Sequence, residues 1–338
     1  MALWLSLWVV AGASLVLTGA VRRYALTRSM IDLPTARSSH SIPTPRGGGV
    51  AIVFSFLCAL LVFGFWGLVD WALIAALLGA GSVSAILGFL DDQGYVAVRW
   101  RLLGHFFGAF WVLLVFKGLP PLIMFGMLFD FGWFGHVLAL FYLVWMLNLY
   151  NFMDRIDGIA GVEAITVCFG ALIVYLVMGA EDLIWSPLLL AMSVLGFLYW
   201  NFPSARIFMG DTGSGFLGIV FGVLSLQAAW RDPNMLWIWS ILLGVFIVDS
   251  TFTLMRRFLL GARLYEAHCN HAYQIASRLS GKHSVVTISV LMINIFWLLP
   301  VALCVAFLGL DGFVGVIIAY TPLLLVAIKL NAGKLSVV

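Results

Sequence analysis

Three groups of residues in this 338-residue chain could work on phosphates and a divalent metal. The first is the pair Asp91-Asp92, in Gly88-Phe89-Leu90-Asp91-Asp92-Gln93-Gly94, with Arg99 and Arg101 following. Neighbouring carboxylates repel, which raises one pKa unless a cation offsets it. Such a pair suits general-base work or metal binding. Its plainer reading is an acidic helix end, although acids at a helix C-terminus oppose the helix dipole. The second is Asp211, in Phe208-Met209-Gly210-Asp211-Thr212-Gly213-Ser214-Gly215. Glycines and hydroxyls ahead of a helix turn backbone N–H groups toward phosphate. Asp211 then supplies the hard oxygen that Mg²⁺ prefers, or else it is an N-cap in a tight turn.

The third group is Asn148, Asn151, Asp154 and Asp157, which recur at every third position. Residues three apart share a helix face, but four of them drift around an ideal helix, so a break is expected near Gly158 or Gly161. Weaker signals surround these groups. Asn201-Phe202-Pro203 precedes the Asp211 turn, and His268-Cys269-Asn270-His271 lies in a basic segment with Arg256, Arg257, Arg263 and Tyr273-Gln274. Imidazole and guanidinium there fit phosphate contact better than zinc, whose further ligands are missing at useful spacings; a solvated basic loop is the alternative. Arg37-Ser38-Ser39-His40 and Pro43-Thr44-Pro45-Arg46-Gly47-Gly48-Gly49 form a glycine-bearing turn that allows close backbone approach to a ligand or is merely a turn.

The elements that must position these groups are set by composition. Hydrophobic residues make up 63% of the chain and charged residues 10%, which excludes a water-soluble domain of this size. Eleven apolar stretches are long enough to span a bilayer, at about 2–20, 48–69, 71–90, 102–118, 133–150, 159–179, 183–202, 212–229, 236–259, 284–308 and 312–330. The expected fold is all-α, a polytopic transmembrane bundle forming one integral membrane domain over 1–338. The stretch from Leu119 to Phe131 begins with Pro120-Pro121 and is short, so a surface-lying or extended segment is expected. The first stretch has no basic region ahead of it and reads as a retained span.

Loops after odd-numbered stretches, with the tail after the eleventh, hold 16 of the 18 Lys and Arg residues; Lys117 and Arg231 alone fall on the other side. The positive-inside rule then makes the odd loops cytoplasmic and the N-terminus periplasmic. Trp66, Trp71, Trp133, Trp185, Trp230 and Trp237 fall near the outer interface, as an aromatic belt would. The same parity gathers Asp91-Asp92, Asn151, Asp154, Asp157, Asp211, His268 and His271 on the cytoplasmic face. Asp249 lies well inside a stretch and reads either as functional or as a structural partner for a neighbouring helix or for Arg256. Basic residues are too few and scattered for a nucleic-acid footprint, and the four cysteines show neither disulfide nor zinc spacing.

Taken together, from about Arg37 to Gln274, these loops resemble the polyprenyl-phosphate N-acetylhexosamine 1-phosphate transferase family, glycosyltransferase family 4. The most specific segments are Asn151-Phe152-Met153-Asp154 through Asp157-Gly158, and Phe208 through Ser214. The resemblance implies transfer of an N-acetylhexosamine 1-phosphate from a UDP-sugar to undecaprenyl phosphate at the inner face of a bacterial inner membrane, with release of UMP. It implies a Mg²⁺ cofactor, with Mn²⁺ as a substitute, and allows a homodimer. By position, Asp91 and Asp92 would handle the lipid phosphate, Asp211 would bind the metal, and Asn151 and Asp154 would assist at the diphosphate and metal. Asp157 and Asn201 would face the uracil, His268 and His271 would contact phosphate or sugar, and Arg99 and Arg46 would join in binding substrate. Arg-Ser-Ser-His, Pro-Arg-Gly-Gly-Gly and His-x-x-His-x-Tyr-Gln resemble the branch that initiates O-antigen. The cell-wall branch usually has three consecutive histidines, absent here. Arg155 stands where the family commonly has Gly, and a third acid often found after the paired aspartates is missing at Gly94 and Tyr95. Alternatives are a peptidoglycan precursor phosphotransferase, a transporter or flippase of a lipid-linked or anionic solute, and an inactive scaffold.

Overall fold

A computed structural model of the protein describes residues 2–28, 30–34, 42–94, 96–262 and 269–334. The expectations for Arg37, Ser38, Ser39, His40, Tyr95, Arg263 and His268 lie outside the described residues.

The chain is nearly all helical. In order, the helices are α1 (Ala2–Thr27), α2 (Gly49–Phe65), α3 (Trp71–Asp92), α4 (Val98–Phe116), α5 (Gly132–Met153), α6 (Ile159–Val177), α7 (Trp185–Asn201), α8 (Gly210–Arg231), α9 (Asn234–Leu242), α10 (Gly244–Leu259), α11 (Ala272–Ser280), α12 (His283–Leu308) and α13 (Gly312–Lys329). Among the described residues nine helices are long and apolar enough to cross a membrane. The bent pair α9–α10 adds a tenth and the shorter apolar α2 an eleventh, matching the 11 stretches one for one.

One of those matches needs correction. The stretch 236–259 was expected as one span, but α9 and α10 meet at 78°. The corner falls at Gly244, where an added Cβ would come within 3.2 Å of the Tyr320 ring and 3.3 Å of Leu298. A bare backbone there lets α12 and α13 pack into the corner.

The Leu119–Phe131 segment is extended, as expected: strands β1 (Leu122–Met124) and β2 (Met127–Phe129) pair antiparallel, with Ile123 opposite Leu128. Phe125 and Gly126 both have positive φ, as a two-residue hairpin turn of the primed type demands. The hairpin is pinned by Gly126 N–H to Asp311 Oδ2 at 2.8 Å and Trp237 Nε1–H to the Ile123 carbonyl at 2.7 Å.

The packing centre is α8, buried along most of its length against α2, α3 and α5. Apolar side chains alone give helices no preference for each other over lipid, so close packing of small residues drives their association. A Cβ on Gly49 of α2 would sit 2.3 Å from Gly213 Cα, and one on Gly88 of α3 would sit 2.4 Å from the Asp211 carbonyl oxygen. These two crossings bring the ends of α2, α3 and α8 together.

Candidate active site

The carboxylates are assembled by helix ends. Asp91 and Asp92 are the last residues of α3, and Asp211 is the second residue of α8. Asp92 accepts the backbone N–H of Asp211 at 3.0 Å, that of Thr212 at 3.3 Å, and the Thr212 hydroxyl at 3.0 Å. Its side chain is wholly buried. Asp92 therefore caps α8, satisfying N–H groups that have no partner within the helix and placing a negative charge at the positive end of its dipole. That resolves the unfavourable acidic end of α3: the charge answers a second helix.

Asp91 and Asp211 share one cation. Arg101, in the first turn of α4, places Nη1 against Asp91 Oδ2 and 3.2 Å from Asp211 Oδ2. Arg46 reaches the same cluster, with Nη2 2.6 Å from Asp32 and Nη1 3.8 Å from Asp92. Backbone bonds hold Arg46 there: Phe208 N–H donates to the Pro45 carbonyl at 2.8 Å, and Gly48 N–H to the Phe208 carbonyl at 2.9 Å. The glycines after Arg46 thus bring one backbone against another.

The row of every-third residues divides. α5 stops at Met153, earlier than expected, and the turn ends at Gly158 in the left-handed region with φ of 74°. Asn151 stays on the helix, donating to Ser214 Oγ at 3.1 Å. Asp154 is half-buried beside the cluster, and burial, outweighing the nearby Arg155, pushes its carboxyl up to about 7. Arg155 is not among the described residues with positive φ, so this turn does not call for glycine at 155. Asp157 turns away toward the α7–α8 loop, accepting from Ala205 N–H at 3.0 Å and lying 3.0 Å from His283 Nδ1.

Asn201 is buried, accepting from Gly158 N–H at 2.9 Å and donating to the Ile207 carbonyl at 3.0 Å. Both ends of its amide are used to join the turn after α5 to the segment before α8. His271 is buried at the N-terminus of α11, stacked on Phe152 and 3.4 Å from Asp249. Asp249 takes the structural role: it accepts Ala272 N–H at 2.8 Å and Tyr273 N–H at 2.9 Å, whereas Arg256 donates to the Ala332 carbonyl. Tyr273 OH donates to the Phe152 carbonyl, tying α11 to the residue beside Asn151.

Arg99 is exposed against the Trp100 ring and stands outside the cluster; Arg101 is the arginine inside it. With the fourth stretch expected to begin at 102, both arginines read as loop. Because α4 starts at Val98, residues two apart point to nearly opposite faces, and only one can meet the aspartates. His283 also escaped the sequence reading, since a lone histidine after Gly281-Lys282 carries no motif.

Among the described residues no group of three or more His, Cys, Asp or Glu side chains forms a ready-made metal site. The donors do suit a hard cation held jointly with phosphate: two carboxylates, Asp91 and Asp211, already share one positive charge, with the Asn151 amide alongside. A cavity of about 630 Å³, lined by Tyr24, Arg28, Asp32, Arg46, Asp92 and Gln93, adjoins them and is of ligand size.

The family model for glycosyl transferase family 4 matches residues 74–229, a range containing Asp91, Asp92, Arg101, Asn151 and Asp211. The chain is 32% identical over 254 residues to a probable undecaprenyl-phosphate N-acetylglucosaminyl 1-phosphate transferase of Bacillus subtilis (strain 168), covering 72% of this chain and 69% of that protein. It is 36% identical over 207 residues to a phospho-N-acetylmuramoyl-pentapeptide-transferase of Oceanobacillus iheyensis, covering 54% and 61%. It is 29% identical over 234 residues to a decaprenyl-phosphate N-acetylglucosaminephosphotransferase of Mycolicibacterium smegmatis, covering 63% and 56%. With aspartates from α3 and α8 meeting inside the matched segment, the chain belongs to glycosyl transferase family 4, the polyprenyl-phosphate sugar 1-phosphate transferases.

Proposed function

We propose that this protein transfers an N-acetylhexosamine 1-phosphate from a UDP-sugar to undecaprenyl phosphate, and that the product starts O-antigen or another surface polysaccharide. The observation that carries the reading is the shared Arg101: Asp91 and Asp211, from two helices, converge on one cation at the rim of the bundle. The basic-residue parity supports a cytoplasmic position for that rim in a bacterial inner membrane, the side on which UDP-sugars are available.

In this reading an oxygen of the lipid phosphate attacks the sugar-bearing phosphorus; the new P–O bond forms as the bond to UMP breaks, and UMP leaves with the bridging oxygen. Asp91 orients the lipid phosphate and takes its proton where one is present. Arg101 and Arg46 offset the charge gathered by two phosphorylated substrates, so catalysis is mainly positioning and charge neutralisation. Asp211, with Asn151, would hold Mg²⁺, which when bound supplies positive charge to the diphosphate oxygens. Asn201 and Asp157 keep the turn after α5 in register with the segment before α8.

The test is UMP release by purified protein given UDP-N-acetylglucosamine, undecaprenyl phosphate and Mg²⁺. Asp211→Asn should lower turnover at least about a hundredfold, the scale on which a lost charge-stabilising group acts. Unchanged turnover would remove Asp211 from the metal role.

A further inference from the structure

Beside Asp211 lies a cavity of about 10 Å³. Its lining includes Ser84 of α3, Arg101 and His105 of α4, Asn148 and Asn151 of α5, and Asp211 and Gly215 of α8, so four helices meet around it. Two of these residues carry a buried polar atom, Ser84 Oγ and His105 Nδ1, that has no hydrogen-bond partner among the described residues. Both residues are more than nine-tenths buried, with exposures of 3% and 6%. Gly215 keeps the space open, since a Cβ there would stand 3.1 Å from Ser84 Oγ.

A buried polar atom without a partner costs free energy, and nearly all such atoms in folded proteins are bonded to protein or to ordered water. Roughly 10–15 Å³ of space, with two to four polar partners, is what one water requires. The cavity meets both conditions, and two of its other lining residues are Asp211 and Asn151, the residues assigned to the metal.

We propose that one ordered water occupies this cavity, and that His105 and Ser84 act through it as positioning residues for the Asp211 carboxylate. The inference rests on the proposed transferase reading for its catalytic part, whereas the water itself does not depend on that reading. Partners one step removed from a metal ligand fix its orientation, and losing one commonly costs about 10- to 100-fold in activity or metal affinity. The arrangement also explains why a serine and a histidine with open hydrogen-bonding capacity sit in two neighbouring spans that are otherwise largely apolar.

The test combines a map of the full-length protein in lipid nanodiscs, at a resolution that shows waters, with kinetics of three variants. The map should show a single peak within hydrogen-bond reach of His105 Nδ1 and Ser84 Oγ. His105→Ala should lower kcat by about 10- to 100-fold while KM for UDP-N-acetylglucosamine stays within about threefold. His105→Asn, whose amide stands near the position of Nδ1, should recover most of that loss, and Ser84→Ala should lower kcat in the same sense. If His105→Ala does not fold, the other two variants and the map decide the matter. A map with no peak in the cavity would overturn the proposal. So would wild-type kcat in both His105→Ala and Ser84→Ala. A wild-type protein that transfers no sugar phosphate would overturn the transferase reading and the positioning role together, whereas an active wild type with equally active variants would overturn the positioning role alone.

Discussion

Asp92 caps the helix that carries Asp211, its carboxylate accepting the Asp211 N–H at 3.0 Å and both the N–H and the hydroxyl of Thr212. The adjacent aspartates therefore divide their work. Asp92 fixes where α8 begins, and Asp91 faces the cation shared with Asp211.

That division predicts different failures for the two residues. Asp92→Ala removes the cap and should destabilise the protein by about 1 kcal/mol, while Asp92→Asn keeps an acceptor and should lose less. Asp91→Asn should leave stability near that of the wild type and abolish transfer. Thermal unfolding in detergent, followed by tryptophan fluorescence, checks the first pair, and UMP release checks the second.

The crossing of α3 over α8 sets a steric test. Gly88→Ala would push a methyl to 2.4 Å from the Asp211 carbonyl oxygen, a backbone atom that cannot swing aside. Overpacking of this kind costs roughly 1–3 kcal/mol and should displace Asp211 as well, lowering both melting temperature and activity. Gly12→Ala on α1 meets nothing within 4 Å among the described residues and serves as the control, with no loss of either.

The two arginines of α4 should separate cleanly. Arg101→Ala removes the cation shared by Asp91 and Asp211 and should cut turnover at least about tenfold, since a charge-assisted bond at the reacting centre is lost. Arg99→Ala, exposed against Trp100, should remain within about threefold of the wild type under the same assay.

Such pairs show what could be read from the sequence and what could not. Span count, the extended segment after α4 and the aspartates at the helix ends all follow from local hydropathy and spacing, which act within a few residues. The choice of Arg101 over Arg99 depends on where α4 starts, and a helix start shifted by four residues reassigns every face. Asn201 and His271 show a second limit. Their motifs mark them out, but only the tertiary structure reveals that Asn201 spends its amide on the backbone of Gly158 and Ile207, and that His271 heads a helix held by Asp249. The α9–α10 corner is invisible to hydropathy, because Gly244 looks like any other glycine in an apolar run until Tyr320 and Leu298 pack against it.

Asp154 gives a pH prediction. Burial raises its carboxyl from the ordinary 3.8 to about 7, so the folded metal-free protein binds this proton more tightly than the unfolded chain does. The stability it contributes is fully present below about pH 4, declines as pH rises toward 7, and is gone above. Melting temperatures of wild type and Asp154→Asn without divalent metal, measured from pH 4 to 8, should show a steeper decline for the wild type. Parallel curves would contradict the assignment.

The most direct measurement uses UDP-N-acetylglucosamine radiolabelled in the phosphate that bears the sugar, incubated with purified protein, undecaprenyl phosphate and Mg²⁺. The account predicts label in the organic-extractable lipid with one unlabelled UMP released per lipid formed, and neither product from Asp91→Asn or Asp211→Asn. Label that stays in water, or a lipid product made equally well by both variants, would contradict it.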